Sequence, residues 1–168
     1  ALGTAQVSAM TTTQLNALNE DQVLALGTED VAALTTSQVA GLSNAKVTAL
    51  SSAQVKALTT SQLQAMSTAQ INALDADDIS AMGTAQVAGL STLQVNKLSN
   101  SALEALTTSQ LAGMGTSQVA AFGTGQIAVL TNTQVGALTS TQVQSLSAGQ
   151  FGAMNEDQIA ALGTTDVA

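Results

Sequence analysis

The chain has no cysteine, histidine, proline, tryptophan or tyrosine, and two phenylalanines are its only aromatic residues. Without cysteine there is no disulfide scaffold and no thiolate metal site. Without histidine or cysteine, the commonest general base and the thiol nucleophile are both missing. Serine and threonine abound but have no base to activate them, so the sequence reads as a non-enzyme with no catalytic, cofactor or metal residues. Charge is equally scarce. Only 8% of residues are charged, with three lysines, no arginine and 11 acids for a net charge of −8. Such a chain can neither release phosphate counterions nor stack bases, which excludes nucleic acid as a partner. No apolar run approaches the roughly 18 to 20 residues needed to span a bilayer as a helix, and no secretion signal is visible.

What is present is a period of eight. In 21 consecutive octads counted from Ala1, slot two is Leu, Met or Phe, and slot seven is Val, Ile, Leu or Phe. Slot six is Gln in 16 octads and slot one is Ala in 15, a regularity that fixes architecture more than chemistry. A continuous α-helix turns about 100° per residue, so eight residues overshoot two turns by about 80° and no apolar stripe persists. A strand wants apolar residues two apart, whereas the large ones here are five and three apart. A β-solenoid that turns corners between them is the minority alternative.

The small residues favour one short helix per octad. Slot three holds only Gly, Thr, Ser, Asn or Asp, the set preferred at a helix N-cap. Three residues later comes Gln, which completes a capping box in Thr35-Thr36-Ser37-Gln38 and Thr59-Thr60-Ser61-Gln62. The Leu before the cap and the Val after the Gln form the hydrophobic staple. Octads with Gly in slot three, such as Gly27-Thr28, permit a second phasing: Gly closes one helix and Thr caps the next. Acids agree with this register. Ten of the 11 (Glu20, Asp21, Glu29, Asp30, Asp75, Asp77, Asp78, Glu156, Asp157 and Asp166) lie in slots three to six, where the helix dipole favours carboxylates. Glu104 lies outside, Lys56 and Lys97 fall in the second half of the helix, and Lys46 replaces a Gln.

A helix of about six residues is far below the ~12 to 15 that are marginal alone, so neighbouring octads must hold each other. The expected fold is all-α: a tight solenoid of 21 octads, each one capped helix. Leu, Val and Ala stack into its thin core, and slots four, five and eight face solvent. Gly41, Gly89 and Gly113 in slot one suggest close backbone approach. The number of octads per superhelical turn is not readable from the pattern. The register opens on slot one and closes on slot eight, without the atypical polar repeat that usually caps an array. Residues 1–168 are therefore expected to be one uninterrupted piece of a longer array.

The run Asp75-Ala76-Asp77-Asp78 has the spacing of a calcium loop. It has Ser80 at the position of the required Gly and Gln86 at that of the closing Glu, so capping explains it better. Asn19-Glu20-Asp21-Gln22 and Asn155-Glu156-Asp157-Gln158 lie 17 octads apart and lead into similar sequences, through chance or recent duplication or as a higher-order repeat. Threonine recurs in slot four, as a solvated first helical residue or as a ladder able to match ice or another periodic surface.

The string Leu34-Thr35-Thr36-Ser37-Gln38-Val39-Ala40 resembles the helix opening of the transcription-activator-like effectors of plant pathogens, and what carries over is the capping logic. Over the whole chain, units such as Ala57-Leu58-Thr59-Thr60-Ser61-Gln62-Leu63 resemble the octapeptide arrays of very long, adhesin-like bacterial surface proteins. That resemblance implies an exported structural protein at the bacterial cell surface. The leading expectation is an extracellular stalk, spacer or fibre segment. The alternatives are a self-assembling filament or sheath subunit and an ice- or glycan-binding surface. Expected partners are neighbouring repeats and, in assemblies, further copies joined laterally or end to end.

Overall fold

The computed structural model describes residues 3–163, which form 20 short helices and no strand among the described residues. They are numbered in chain order from α1 (Thr4–Ala9) to α20 (Glu156–Ala161), one per octad, each four to six residues long. The fold is an all-α solenoid. The helix start expected in the 21st octad, with Asp166 and Val167, lies outside the described residues, as do Ala1 and Leu2.

Every helix begins in slot four behind an extended N-cap in slot three. At α5 (Thr36–Ala40), the backbone N–H of Gln38 donates to Thr35 Oγ1 at 3.1 Å, and the Thr35 N–H donates to Gln38 Oε1 at 2.7 Å. Glycine in slot three takes the same role, with Gly27 at φ −66° and ψ 156°. The first phasing is thus the one adopted, and glycine supplies half of the box. Gly83 lacks a side-chain acceptor, but its N–H donates to Gln86 Oε1 at 2.7 Å. Gly163 alone among the described residues has positive φ, at 70°. Helices end in slot one or earlier, and the slot-two N–H turns back to the slot-seven carbonyl, as Leu58 does to Val55 at 3.1 Å.

The described residues divide between Met82 and Gly83 into two compact units. In the first, α1 packs on α4 (Thr28–Ala33), α4 on α7 (Ser52–Ala57) and α7 on α10 (Ala76–Ala81). There too α5 packs on α8 (Thr60–Ala65), and α6 (Asn44–Thr48) on α9 (Thr68–Ile71). In the second unit, α11 (Thr84–Ala88) packs on α14 (Thr108–Gly113), and α17 (Asn132–Val135) on α20. Within each unit a helix therefore meets the third one along, and three octads make a turn.

The core holds slots two and seven, with Val31, Val55, Leu63, Val87 and Val119 fully inaccessible. Slot-one alanine does not join it as expected: Ala33 and Ala57 are half-buried and Ala17 is exposed. The interior place is taken by slot-six glutamine; Gln54, Gln62 and Gln70 are each 2% exposed. Close approach holds at Gly41, where a Cβ would lie 2.6 Å from Thr12 Cγ2. At Gly113 the same atom would make an ordinary 3.5 Å contact with Thr84. Slot eight is less purely solvent-facing than expected. Half-buried Asn16 donates through Nδ2 to the Gly41 carbonyl at 2.8 Å and accepts the Ser43 N–H at 2.8 Å.

Candidate functional site

The most organised chemistry in this fold is the seam between consecutive turns, and slot six builds it. Gln62 sits at the third helical position of α8, where its Oε1 accepts the Thr59 N–H at 2.7 Å. Its other end points to the preceding turn. Nε2 donates to the carbonyls of Val31 at 3.0 Å and Leu34 at 2.6 Å. Those oxygens belong to the end of α4 and the joint that follows, the orphan acceptors that every helix C-terminus leaves. The same reach of 31 and 28 residues recurs for Gln38 onto Val7 and Met10, and for Gln70 onto Val39 and Leu42. In the second unit Gln118 meets Val87 and Leu90, and Gln158 meets Ile127 and Leu130. One side chain thus caps the start of its own helix and the end of the fourth helix back, at the joint that leads into its packing partner three back. No buried side-chain polar atom is left without a partner among the described residues.

Capping alone accepts Glu as readily as Gln at this position, yet slot six contains no Glu in any octad. A carboxylate would present oxygen to the carbonyl oxygens of the turn below. That missing Glu was the signal in the sequence, and the reading by capping alone passed over it.

Departures from glutamine show the two functions separately. Lys46 keeps the donor and loses the acceptor: its Nζ donates to the Leu18 carbonyl, 28 residues back, while Ser43 makes no side-chain cap. Asp30 and Asp78 keep the acceptor and lose the donor, taking the N–H groups of Gly27 at 3.1 Å and Asp75 at 3.3 Å. Ala102 keeps neither, although Ser99 still caps its helix through the Ala102 N–H at 3.2 Å.

Asp78 is 3% exposed, and burial pushes its carboxyl above the ordinary aspartate range. Hydrogen bonds from the Asp75 backbone and the Ser52 side chain oppose that shift, while the charges of Asp75 and Asp77 add to it. The Asp75 to Asp78 run is a cap: Asp75 Oδ1 accepts the Asp78 N–H at 2.9 Å, and Asp77 is exposed. Asn19 and Asn155 likewise cap Gln22 and Gln158, at 2.9 and 2.7 Å. Among the described residues, no three His, Cys, Asp or Glu side chains gather as a metal site. No helix there is long and apolar enough to cross a membrane.

A family model described as the ALTTAQ repeat matches residues 1–28, 23–60, 60–92, 95–132 and 132–164. The chain belongs to the ALTTAQ repeat family. Those six letters fall on slots one to six, as in Ala57-Leu58-Thr59-Thr60-Ser61-Gln62, so the ALTTAQ motif ends on the seam glutamine. Comparison with curated proteins finds no match.

Proposed function

We propose that this ALTTAQ array is a structural element, an extracellular stalk, spacer or fibre segment of a bacterial surface protein, and not an enzyme. The observation that carries the reading is the seam. Its hydrogen bonds recur from turn to turn at the same sequence reach, and each joins one turn to the next. An array held by nearest-neighbour contacts lengthens without redesign and has no single essential repeat. The same polar atoms that could have served a ligand are occupied in joining turns. The octapeptide resemblance supports a surface location, and the sparse charge fits it.

The test is to shorten the array by whole turns in the protein that carries it, and to measure its reach from the cell by immunogold labelling. Removing residues 35–58 takes out α5, α6 and α7 and returns each later helix to an equivalent partner. Reach should fall in proportion, with any terminal binding activity kept. Loss of attachment or assembly on this one deletion, with another three-octad deletion harmless, would show a localised site and refute the spacer. Absence of labelling on intact cells would refute the location.

A further inference from the structure

We infer that Asp78 makes the joint after α6 pH-sensitive, sealed when its carboxyl is protonated and loosened when it ionises. In the same unit the slot-two carbonyls of Leu26, Leu34 and Leu42 accept the amides of Gln54, Gln62 and Gln70, each 28 residues later, at 2.9, 2.6 and 2.8 Å. Buried Leu50 is next in this series, and its carbonyl accepts no hydrogen bond among the described residues. The residue 28 positions after it is Asp78, which is also buried. An ionised aspartate is an acceptor only and cannot serve a carbonyl. The other end of α6 is underserved as well. Ser43 makes no side-chain cap, and Lys46, in the slot of the answering glutamine, donates to the Leu18 carbonyl instead. A helix of five residues is thus held weakly at both ends, and one of those ends faces a buried acid.

Protonation supplies what this joint lacks. The neutral carboxyl keeps an oxygen for the Asp75 N–H, which it accepts at 3.3 Å, and gains an O–H that donates to the Leu50 carbonyl. Its surroundings favour the proton. Burial lifts the Asp78 carboxyl above the ordinary range; hydrogen bonds from the Asp75 backbone and the Ser52 hydroxyl oppose that shift, and the charges of Asp75 and Asp77 add to it. Helix α7, which packs on α10, brings Ser52 to the carboxyl, and its one charged side chain, Lys56, is exposed. Lys46, the charge on α6, is engaged with Leu18. Because the folded carboxyl holds its proton more tightly than the unfolded one, the seal is complete below the unfolded pKa. It is lost as pH rises through the folded pKa. Acid therefore tightens the joint between α6 and α7, and rising pH opens it first at α6. The inference rests on the seam and not on the spacer reading, since any array built on this seam would carry the same joint.

The experiment is a pH titration of the chain by NMR, with carbon-13 in the leucine carbonyls and the aspartate carboxyls. Asp78 should titrate above the ordinary aspartate range, and the Leu50 carbonyl shift should move with the same midpoint. The Leu34 carbonyl, which Gln62 serves at every pH, should not follow it. Hydrogen-exchange protection factors at Val47, Ala49 and Leu50, whose N–H groups close α6, should fall as pH rises through that midpoint. The fall should be about tenfold for each unit by which the measured pKa exceeds the ordinary one. Asp78→Asn has the same length, keeps the acceptor and carries a permanent donor, so its protection at α6 should be high and independent of pH. Asp78→Ala has no donor and should be poorly protected throughout; if it fails to fold, the asparagine variant and the carbonyl shifts decide alone. An Asp78 that titrates at or below the ordinary range overturns the inference. So does a Leu50 carbonyl that ignores the titration, and so does a pH-dependent loss of protection that persists in Asp78→Asn. Protection restored at high pH by sodium or calcium would overturn it too, because a cation would then occupy the place assigned to the proton.

Discussion

Replacing Gln62 by glutamate exchanges one amide nitrogen for an oxygen, and the seam makes that exchange costly. Gln62 is 2% exposed. Glutamate preserves the acceptor for the Thr59 N–H, so the N-cap of α8 survives. It loses the donations to Val31 and Leu34, each worth about 0.5–1.5 kcal/mol. It also sets a carboxylate against carbonyl oxygens, and an uncompensated buried charge costs about 3–5 kcal/mol. The second effect dominates and absorbs part of the first, so the expected loss is about 3–5 kcal/mol near neutral pH. Urea unfolding followed by circular dichroism measures it. The control is the same substitution in the same slot at Gln22, which is exposed and whose amide meets no carbonyl among the described residues; there the change should stay within about 0.5 kcal/mol. Acid provides a second check. Burial raises the pKa of the new carboxyl above its unfolded value, so its destabilisation is complete above the folded pKa and fades as pH falls towards the unfolded one. A Gln62→Glu chain as stable as the parent at neutral pH, or equal damage at both sites, would refute the seam as the source of cohesion.

Asp78→Gln restores a donor that can reach the carbonyls 31 and 28 residues back, at Val47 and Leu50, and should stabilise by about 1–2 kcal/mol at neutral pH. Because the folded-state pKa of Asp78 is raised, the parent loses stability as pH rises from the ordinary aspartate range through that value; the advantage of the substituted chain in urea melts should therefore shrink in acid. Gly136→Ala brings a Cβ to 2.9 Å from the Ala161 carbonyl oxygen and should cost about 1–3 kcal/mol, whereas Gly125→Ala meets nothing within 4 Å and should stabilise by about 0.4–1 kcal/mol in thermal melts. Leu74→Ala, at a side chain 5% exposed, should cost about 2–5 kcal/mol, and exposed Ser61→Ala less than about 0.5; equal tolerance would remove slot two from the core. Hydrogen exchange should be faster at residues 44–57, which meet the seam at Lys46 and at Asp78, than at residues 116–129; the reverse order would mean that slot six does not set local stability.

The helix of each octad was legible in the chain because its signals are local. Slot three caps, slot six answers it, and the dipole attracts the acids; all of these act within four residues of one another, and the structure places every described helix where they require. The core Leu and Val were legible for the same reason, since no other octad slot is reliably large and apolar. Sequence alone also showed that histidine and cysteine, the commonest general base and the thiol nucleophile, are missing. Tertiary structure decided how the helices end and how many make a turn. Thr35 and Gln38 declare where α5 starts, but nothing within the octad satisfies the carbonyl of Leu34, and its donor is Gln62, 28 residues later. A period of eight repeats identically whichever octad lies below, so three per turn cannot be read from it. The answer lies in where the backbone returns, and there the far end of a glutamine chosen for capping meets the oxygens that no local residue could reach.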